Sequence, residues 1–391
     1  MKMSVATDKM KIGVVILNYN SAKDTAKCIE FLSLQKFNKE HGVGSREQEF
    51  KVSCEQTPSG QALVPLKQGD NIHIIVVDNS DREQGVGSRE QLFLTSEAQS
   101  YLCQSVEQCS KQGLERAHQK KGEIWKKREY SQTSLDYAER RQILERSEKN
   151  QKDLCNLWEK KQIEFIRAEE NRGYSAGNNI GLRRAVELGC EYALVVNPDM
   201  EIVDPYYIEK LVAVMQADED VVVAATDIVT PERIHQNPML ADGNWRTSFG
   251  WVTSLLRPQK RVEAYDFIGD YAVSGYCAKV SGCCLMLRCS FLQEIGYFDE
   301  YPFLYCEEAI LASQVARAGK RMYYLADTQA VHRHIKSEKG DPVKRFKHWQ
   351  RSRIYFYKKY SSDSWLGRQI SILSMRMYVL AYTVYKRFIS R

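Results

Sequence analysis

Two apolar runs, residues 12–17 (IGVVIL) and 72–77 (IHIIVV), each end in short polar residues. Unbroken apolar runs of this length are the pattern of strands buried on both faces of a parallel sheet. Similar runs predict strands at 163–167, 192–196, 221–225, 281–287 and 321–325. Between them, apolar residues recur with helical spacing around Asp24–Leu34 and over Ser175–Leu188, Asp204–Gln216 and Glu307–Gly319. Asp204-Pro205 reads as an N-cap followed by proline at the first helical position. Gly319 reads as a helix stop. This alternation predicts an α/β fold with an open, mostly parallel, Rossmann-like sheet flanked by helices.

Two stretches interrupt the rhythm. Residues 38–70 separate the first helix from the second strand. Residues 81–161 are rich in Lys, Glu, Gln and Arg and predict exposed helices. The heptapeptide GVGSREQ occurs in both, at 42–48 and 85–91. Both stretches are expected to be surface insertions, which cost little loop-closure free energy.

The chain has 391 residues, 43% of them hydrophobic, enough for a sizeable core. Its 11 cysteines include no CxxC pair and read as reduced core residues in a cytoplasmic protein. The N-terminus has no signal-peptide pattern. Charge divides the chain: residues 333–391 hold 15 Lys/Arg against 3 Asp/Glu, so the net +6 hides an acidic body and a basic tail. Residues 344–360 mix basic and aromatic side chains. Residues 365–389 are mostly apolar but carry four basic residues, and their last half has no uncharged run longer than Met377–Tyr385. That is well short of the ~20 residues a spanning helix needs, so an amphipathic helix lying on an anionic membrane surface is expected. A helix packed on the core fits the same pattern. No nucleic-acid-binding motif accompanies the basic tail, and nucleic acid is not expected as a partner.

Candidate chemistry sits at the carboxyl ends of the expected strands, where open α/β sheets bind ligands. The clusters are LNYNS (17–21), VDNSD (77–81), NRGYSAGNN (171–179) and VVNPDME (195–201). Singly, each is also an ordinary turn sequence. In order, and followed by VSGCCLMLR, GYFDEYPFLYCEEAIL and VHRH, they resemble the GT-A glycosyltransferases of family 2. The likeness is greatest to rhamnosyltransferase-like members of bacterial polysaccharide biosynthesis.

That resemblance implies roles. Asn18 and Asn20 open the nucleotide pocket, Asp78 contacts base or ribose, and Asn171, Gly173 and Asn178 border the nucleotide-sugar. Asn197 and Asp199 occupy the family's DxD position. Asp199 and the late His332 are the implied ligands of a divalent cation, Mn²⁺ or Mg²⁺. Glu308, second of the Glu307-Glu308 pair, stands where the family has its catalytic Asp base, and the family's next acid is Ile310 here. Gly282, Cys283 and Glu307 fall at the acceptor pocket.

The implied reaction is an inverting transfer of a sugar, rhamnose or a similar hexose, from a nucleotide-sugar to a hydroxyl of a glycan or polyprenyl-diphosphate-linked acceptor. The implied location is the inner face of the cell membrane. The expected organisation is a GT-A domain over 1–332 and a membrane-surface tail over 333–391. Two other functions fit parts of the pattern. One is a non-catalytic nucleotide-sugar-binding scaffold. The other is a sugar nucleotidyltransferase, against which the absence of glycines in LNYNSAKD counts.

Overall fold

The computed structural model describes residues 10–19, 21–33, 35, 71–80, 163–252, 270–333 and 342–389. The proposed insertions at 38–70 and 81–161, and Asn20, lie outside the described residues.

Among the described residues nine strands form one sheet. In chain order they are β1 (Lys11–Asn18), β2 (Asn71–Asp78), β3 (Ile163–Arg167), β4 (Tyr192–Val196), β5 (Met200–Glu201), β6 (Val221–Val229), β7 (Gly275–Cys277), β8 (Cys284–Arg288) and β9 (Arg321–His332). Across the sheet the order is β3-β2-β1-β4-β8-β6-β9-β5, with β7 also paired to β9. The ladders β3-β2, β2-β1, β1-β4 and β6-β9 are parallel. β8 runs antiparallel between β4 and β6, and β5 and β7 run antiparallel to β9. The sheet is thus mostly parallel, as the alternation predicted. The reversed direction of β8 is not encoded in its own apolar run, which reads the same either way.

Successive side chains of a strand point to opposite faces, and the central strands supply two cores accordingly. Ile12, Val14 and Ile16 of β1, with Ile74 and Val76 of β2, join one cluster; Val15, Ile75 and Val77 join the other. The first core is closed by helices α1 (Ala22–Ser33) and α3 (Tyr207–Ala217), through Ile29, Leu32, Ile208, Leu211 and Met215. The second is closed by α2 (Tyr174–Glu187), α4 (Cys289–Ile295) and α5 (Glu307–Arg317), through Leu182, Phe291, Leu311 and Val315. At Gly181 a Cβ would collide with Val15, so the glycine lets α2 lie directly on β1.

Helix α3 starts at Tyr207, later than the Asp204-Pro205 signal implied. Asp204 is engaged elsewhere. Its Oδ1 accepts from the Tyr206 amide at 2.9 Å, and its Oδ2 accepts from Lys210 Nζ at 2.6 Å and Thr328 Oγ1 at 2.7 Å. Pro205 and Tyr206 form a turn ahead of the helix. Gly319 ends the turn after α5 in the left-handed region, φ +67°, as its position suggested.

The tail forms α6 (Pro342–Lys359) and α7 (Trp365–Ile389). Phe356, Tyr357 and Tyr360 meet Ile372, Met375 and Val379 in a third cluster, which also takes in Ala309 and Ile310 of α5. The position where the family's second acid is lost is therefore a packing contact between α5 and the tail. Among the described residues no helix is long and apolar enough to cross a membrane.

Candidate active site

At the carboxyl end of β1 and β2, Asn18 Nδ2 donates to Asp78 Oδ1 at 3.1 Å. Asn18 Oδ1 accepts from the Ser21 amide at 3.2 Å and from Thr25 Oγ1 at 3.0 Å, which pins the start of α1 to the strand end. Asp78 Oδ1 also accepts from Ser80 Oγ at 2.6 Å. The neighbouring Asn79 Nδ2 donates to Asn171 Oδ1 at 3.0 Å and to the Gly173 carbonyl at 3.2 Å. Asn171 Oδ1 in turn accepts from the Gly173 amide. Asn18, Asp78, Asn171 and Gly173 therefore share one polar network, with Asn79 as its unforeseen centre.

Gly173 sits at φ +97°, and a Cβ there would overlap the Phe303 carbonyl, which accepts from the Tyr174 amide at 3.0 Å. This contact docks the loop leading into α5 on the start of α2. Asn178 is fully buried; its Nδ2 donates to the Tyr174 carbonyl at 3.0 Å, so it shapes the helix from inside rather than facing the cleft. Asn179 ties α2 to the 298–300 loop through Phe298 and Glu300.

The second half of the site is built around residues 281–283. The expected strand 281–287 begins only at Cys284; Gly282 and Cys283 form a turn ahead of it and are buried. The Gly282 carbonyl accepts from Tyr174 Oη at 2.5 Å, the Gly282 amide faces Glu308 Oε1 at 3.4 Å, and the Cys283 carbonyl accepts from the Asn197 amide at 2.7 Å. Asp199 follows on the same turn. Pairing of β5 with β9, Met200 opposite His332, brings His332 Nε2 to 3.3 Å from Asp199 Oδ2. His332 Nδ1 lies 2.8 Å from Gln236 Oε1. Strand β9 reaches His332 because it runs on well past the expected 321–325, through a register shift opposite Thr226 and Asp227.

Burial alone would lower the His332 pKa, but the Cys283 thiol and the Asp199 carboxylate outweigh it and push it up to about 10. With Nδ1–H donated to Gln236, the Nε2 lone pair faces a carboxylate oxygen, and only a proton or a metal between them relieves that contact. Their separation suits neighbouring ligands of one Mn²⁺ or Mg²⁺ ion, with bonds of about 2.1 Å, and Gln236 supplies the outer hydrogen bond that orients such a histidine. Two protein ligands leave most of the coordination shell for phosphate oxygens and water. Among the described residues no group of three or more His, Cys, Asp or Glu could hold a metal by itself.

Glu307 and Glu308 open α5. The two residues before Glu307, Tyr305 and Cys306, are both left-handed, φ +73° and +69°, costly for side-chain-bearing residues. Ser352 Oγ donates to the Leu304 carbonyl at 2.8 Å, holding that loop to α6. Burial and then the charge of Glu308 push the Glu307 carboxyl up to about 8, and its Oε1 is enclosed without a hydrogen-bond partner. The Tyr174 hydroxyl, raised well above its usual 10 by burial, lies beside both glutamates and Cys283.

Asp199, His332, Cys283, Gly282 and Glu308 thus form one continuous line of contacts. Glu307 and Tyr174 back it, and the Asn18–Asp78–Asn171–Gly173 network lies across the same strand ends. Asn197 is held by its backbone with its side chain half-buried. Tyr174 and Gln236 were not among the residues expected from sequence. Tyr174 stood inside the NRGYSAGNN motif, whereas Gln236 lies in a loop after β6 with no local signature.

The glycosyl transferase family 2 model matches residues 144–296. The low-salt glycan biosynthesis hexosyltransferase Agl10 of Haloferax volcanii is 28% identical over 172 residues, 44% of this chain and 52% of that protein. The N-acetylglucosaminyl-diphospho-decaprenol L-rhamnosyltransferase of Mycobacterium tuberculosis is 29% identical over 86 residues, 22% of this chain and 28% of that protein. The chain therefore spans about half the length of the first relative and less of the second. Among solved structures, a mannosyltransferase from Pyrobaculum calidifontis in complex with GDP-Man and Mn²⁺ is 12% identical with a TM-score of 0.45, covering 95% of this chain and 70% of that one. The family match and the order of the motifs agree on the likeness: residues 144–296 match the glycosyl transferase family 2 model.

Proposed function

We propose that the chain transfers a hexosyl group from a nucleotide-sugar to an acceptor hydroxyl with inversion, and that Glu308 is the general base. The observation that carries this reading is the unbroken line of contacts from Asp199 through His332, Cys283 and Gly282 to Glu308. It links the residues proposed for the diphosphate to the residue proposed as base through direct contacts.

Asn18 and Asp78 fit the nucleoside, and Gly173 permits close backbone approach to the donor. Asp199 and His332 are the protein ligands that would hold a divalent cation. When bound, such a cation stabilises the charge that develops on the diphosphate leaving group. Glu308 accepts the acceptor's proton as the hydroxyl oxygen attacks the anomeric carbon, and the Gly282 amide fixes the carboxylate for that task. General-base help of this kind contributes about 10²–10⁴-fold. Glu307, held protonated by burial and by the charge of Glu308, stands beside the base at the edge of the acceptor's approach. Gly282 and Cys283 line the same approach.

The name of the Mycobacterium relative carries a polyprenyl diphosphate acceptor. A lipid-linked acceptor at an anionic surface on the inner face of the membrane suits the basic tail. Lys347, Arg351 and Lys358 are exposed at helical spacing on α6 and supply a charged face for it. Rhamnose is the leading donor sugar by that same relative.

The test is hydrolysis and transfer with a panel of nucleotide-sugars in Mn²⁺ or Mg²⁺. Asp199→Ala is expected to lose metal-dependent turnover. Glu308→Gln is expected to keep donor binding and lose at least about 10²-fold in transfer. Full transfer by Glu308→Gln would remove the assigned base, and donor binding without turnover by the unaltered chain would favour the scaffold.

A further inference from the structure

Helix α7 packs one face on the body and leaves the opposite face bare. Buried Ile372, Met375 and Val379 face α6, while Ser371 and Ser374 bond to Ser248. On the other side Leu366, Leu373, Met377, Leu380 and Val384 are exposed, from 44% to 66%, and Ile370 is half-buried.

These six residues, Leu366, Ile370, Leu373, Met377, Leu380 and Val384, follow one another at alternating steps of four and three. That is the 3.5-residue repeat of a coiled-coil seam, over nearly three heptads. In heptad terms Leu366, Leu373 and Leu380 occupy d, and Ile370, Met377 and Val384 occupy a. Leucine at d with mostly β-branched residues at a is the preference of parallel two-stranded pairs. Next to the seam on one side, Gly367 packs against Trp245 and Ser374 bonds to Ser248 and Trp251, so the body borders the seam there and only Ala381 is exposed. On the other side Arg376 is exposed. In an antiparallel pair Arg376 would face its own copy, whereas in a parallel pair it faces Ala381. Continuing the repeat brings Arg387 into a d position, which ends the apolar seam in the sequence.

We infer that α7 is a self-association helix, through which two copies of this chain pair in parallel about a two-fold axis. The inference is independent of the proposed reaction. Two features of the stripe favour a second copy over a bilayer. Its six positions follow a 3.5-residue repeat. Basic residues do not line both its borders: Arg376 is exposed on one side, while Gly367, Ser374 and Ala381 stand on the other. Docking on α6 already holds α7 helical, so pairing does not bear the cost of forming it. A seam about 28 Å long is at the small end of stable interfaces, and a micromolar dissociation constant is expected.

The experiment is sedimentation equilibrium of the full chain from 1 to 100 µM, without lipid, beside two double variants. The unaltered chain is expected to form a reversible dimer in that range. Leu373→Glu/Leu380→Glu and Leu373→Lys/Leu380→Lys are each expected to weaken pairing by at least 100-fold while keeping circular dichroism and melting temperature. An equimolar mixture of the two is expected to restore the dimer, because opposed d positions then carry opposite charges. A monomeric unaltered chain at 100 µM, dimers indifferent to Leu373→Glu/Leu380→Glu, or no rescue by mixing each overturns the inference. Overturning it too is a monomer whose binding to phosphatidylglycerol vesicles disappears in the glutamate variant, which assigns the face to a bilayer.

Discussion

At the β1–β2 end of the cleft, polar side chains answer one another: Asn18 with Asp78, Ser21 and Thr25, and Asn79 with Asn171 and Gly173. At the β5–β9 end and the root of α5, charges are crowded. His332 leans on Asp199, Glu307 is buried beside Glu308, and two left-handed residues precede the pair. The first region is a frame of neutral hydrogen bonds in which Asn79 Oδ1 is the enclosed atom without a partner. In the second, His332 and Asp199 attract each other, while the enclosed Glu307 carboxyl and the two left-handed residues are unfavourable, and such features are where chemistry is found. Changes in the frame should therefore cost stability, and changes in the crowded region should cost activity while leaving stability intact or raised.

The largest expected effect is at Gly173. A methyl group there meets the Phe303 backbone, in a conformation L-residues avoid, so Gly173→Ala should destabilise by about 3 kcal/mol or more, read as a lowered midpoint in urea. A wild-type midpoint would mean the 303–306 loop is not held by this contact. Next is Asn79→Ala, which removes two hydrogen bonds, one to Asn171 Oδ1 and one to the Gly173 carbonyl, which keeps the Gly177 amide as donor; at about 0.5–1.5 kcal/mol each, a loss of about 1–3 kcal/mol is expected by the same measurement.

The smallest effect, and the one of opposite sign, is at Glu307. Its pKa in the folded chain, about 8, lies above the unfolded 4.5, so the folded state holds the proton more tightly. Stability from this group is complete below about pH 4.5 and lost as pH rises through 8. Glu307→Gln, which has no proton to lose, should melt like the unaltered chain at pH 5 and above it at pH 9, by on the order of 1–2 kcal/mol. Parallel melting curves at both pH values would show that Glu307 is not held protonated by the fold.

Much of this was legible in the chain. β3 and β4 coincide with the apolar runs at 163–167 and 192–196, and Asp199, His332, Gly282, Cys283 and Glu308, drawn from three distant motifs, meet at one cleft. What escaped depends on contacts the local pattern does not carry. The direction of β8 is set by its neighbours. The polar stretch Ala326–Gln329 hid the continuation of β9, because a register shift there keeps the strand paired while its sequence stops alternating. The resemblance puts Asn178 beside the nucleotide-sugar, and nothing in its local pattern announces that its amide donates to the Tyr174 carbonyl within the same helix. Gln236 gains meaning only from its long-range meeting with His332.

The placement of Ile310 bears on how the two ends of the chain depend on each other. With Ala309 it seats Phe356, Tyr360 and Ile372, so the helix that begins with the glutamate pair is braced from behind by the last fifty residues. The basic tail is then a buttress for that helix. Removing it would strip an oily patch bare one turn from the presumed base, and loss of solubility and of turnover should arrive together.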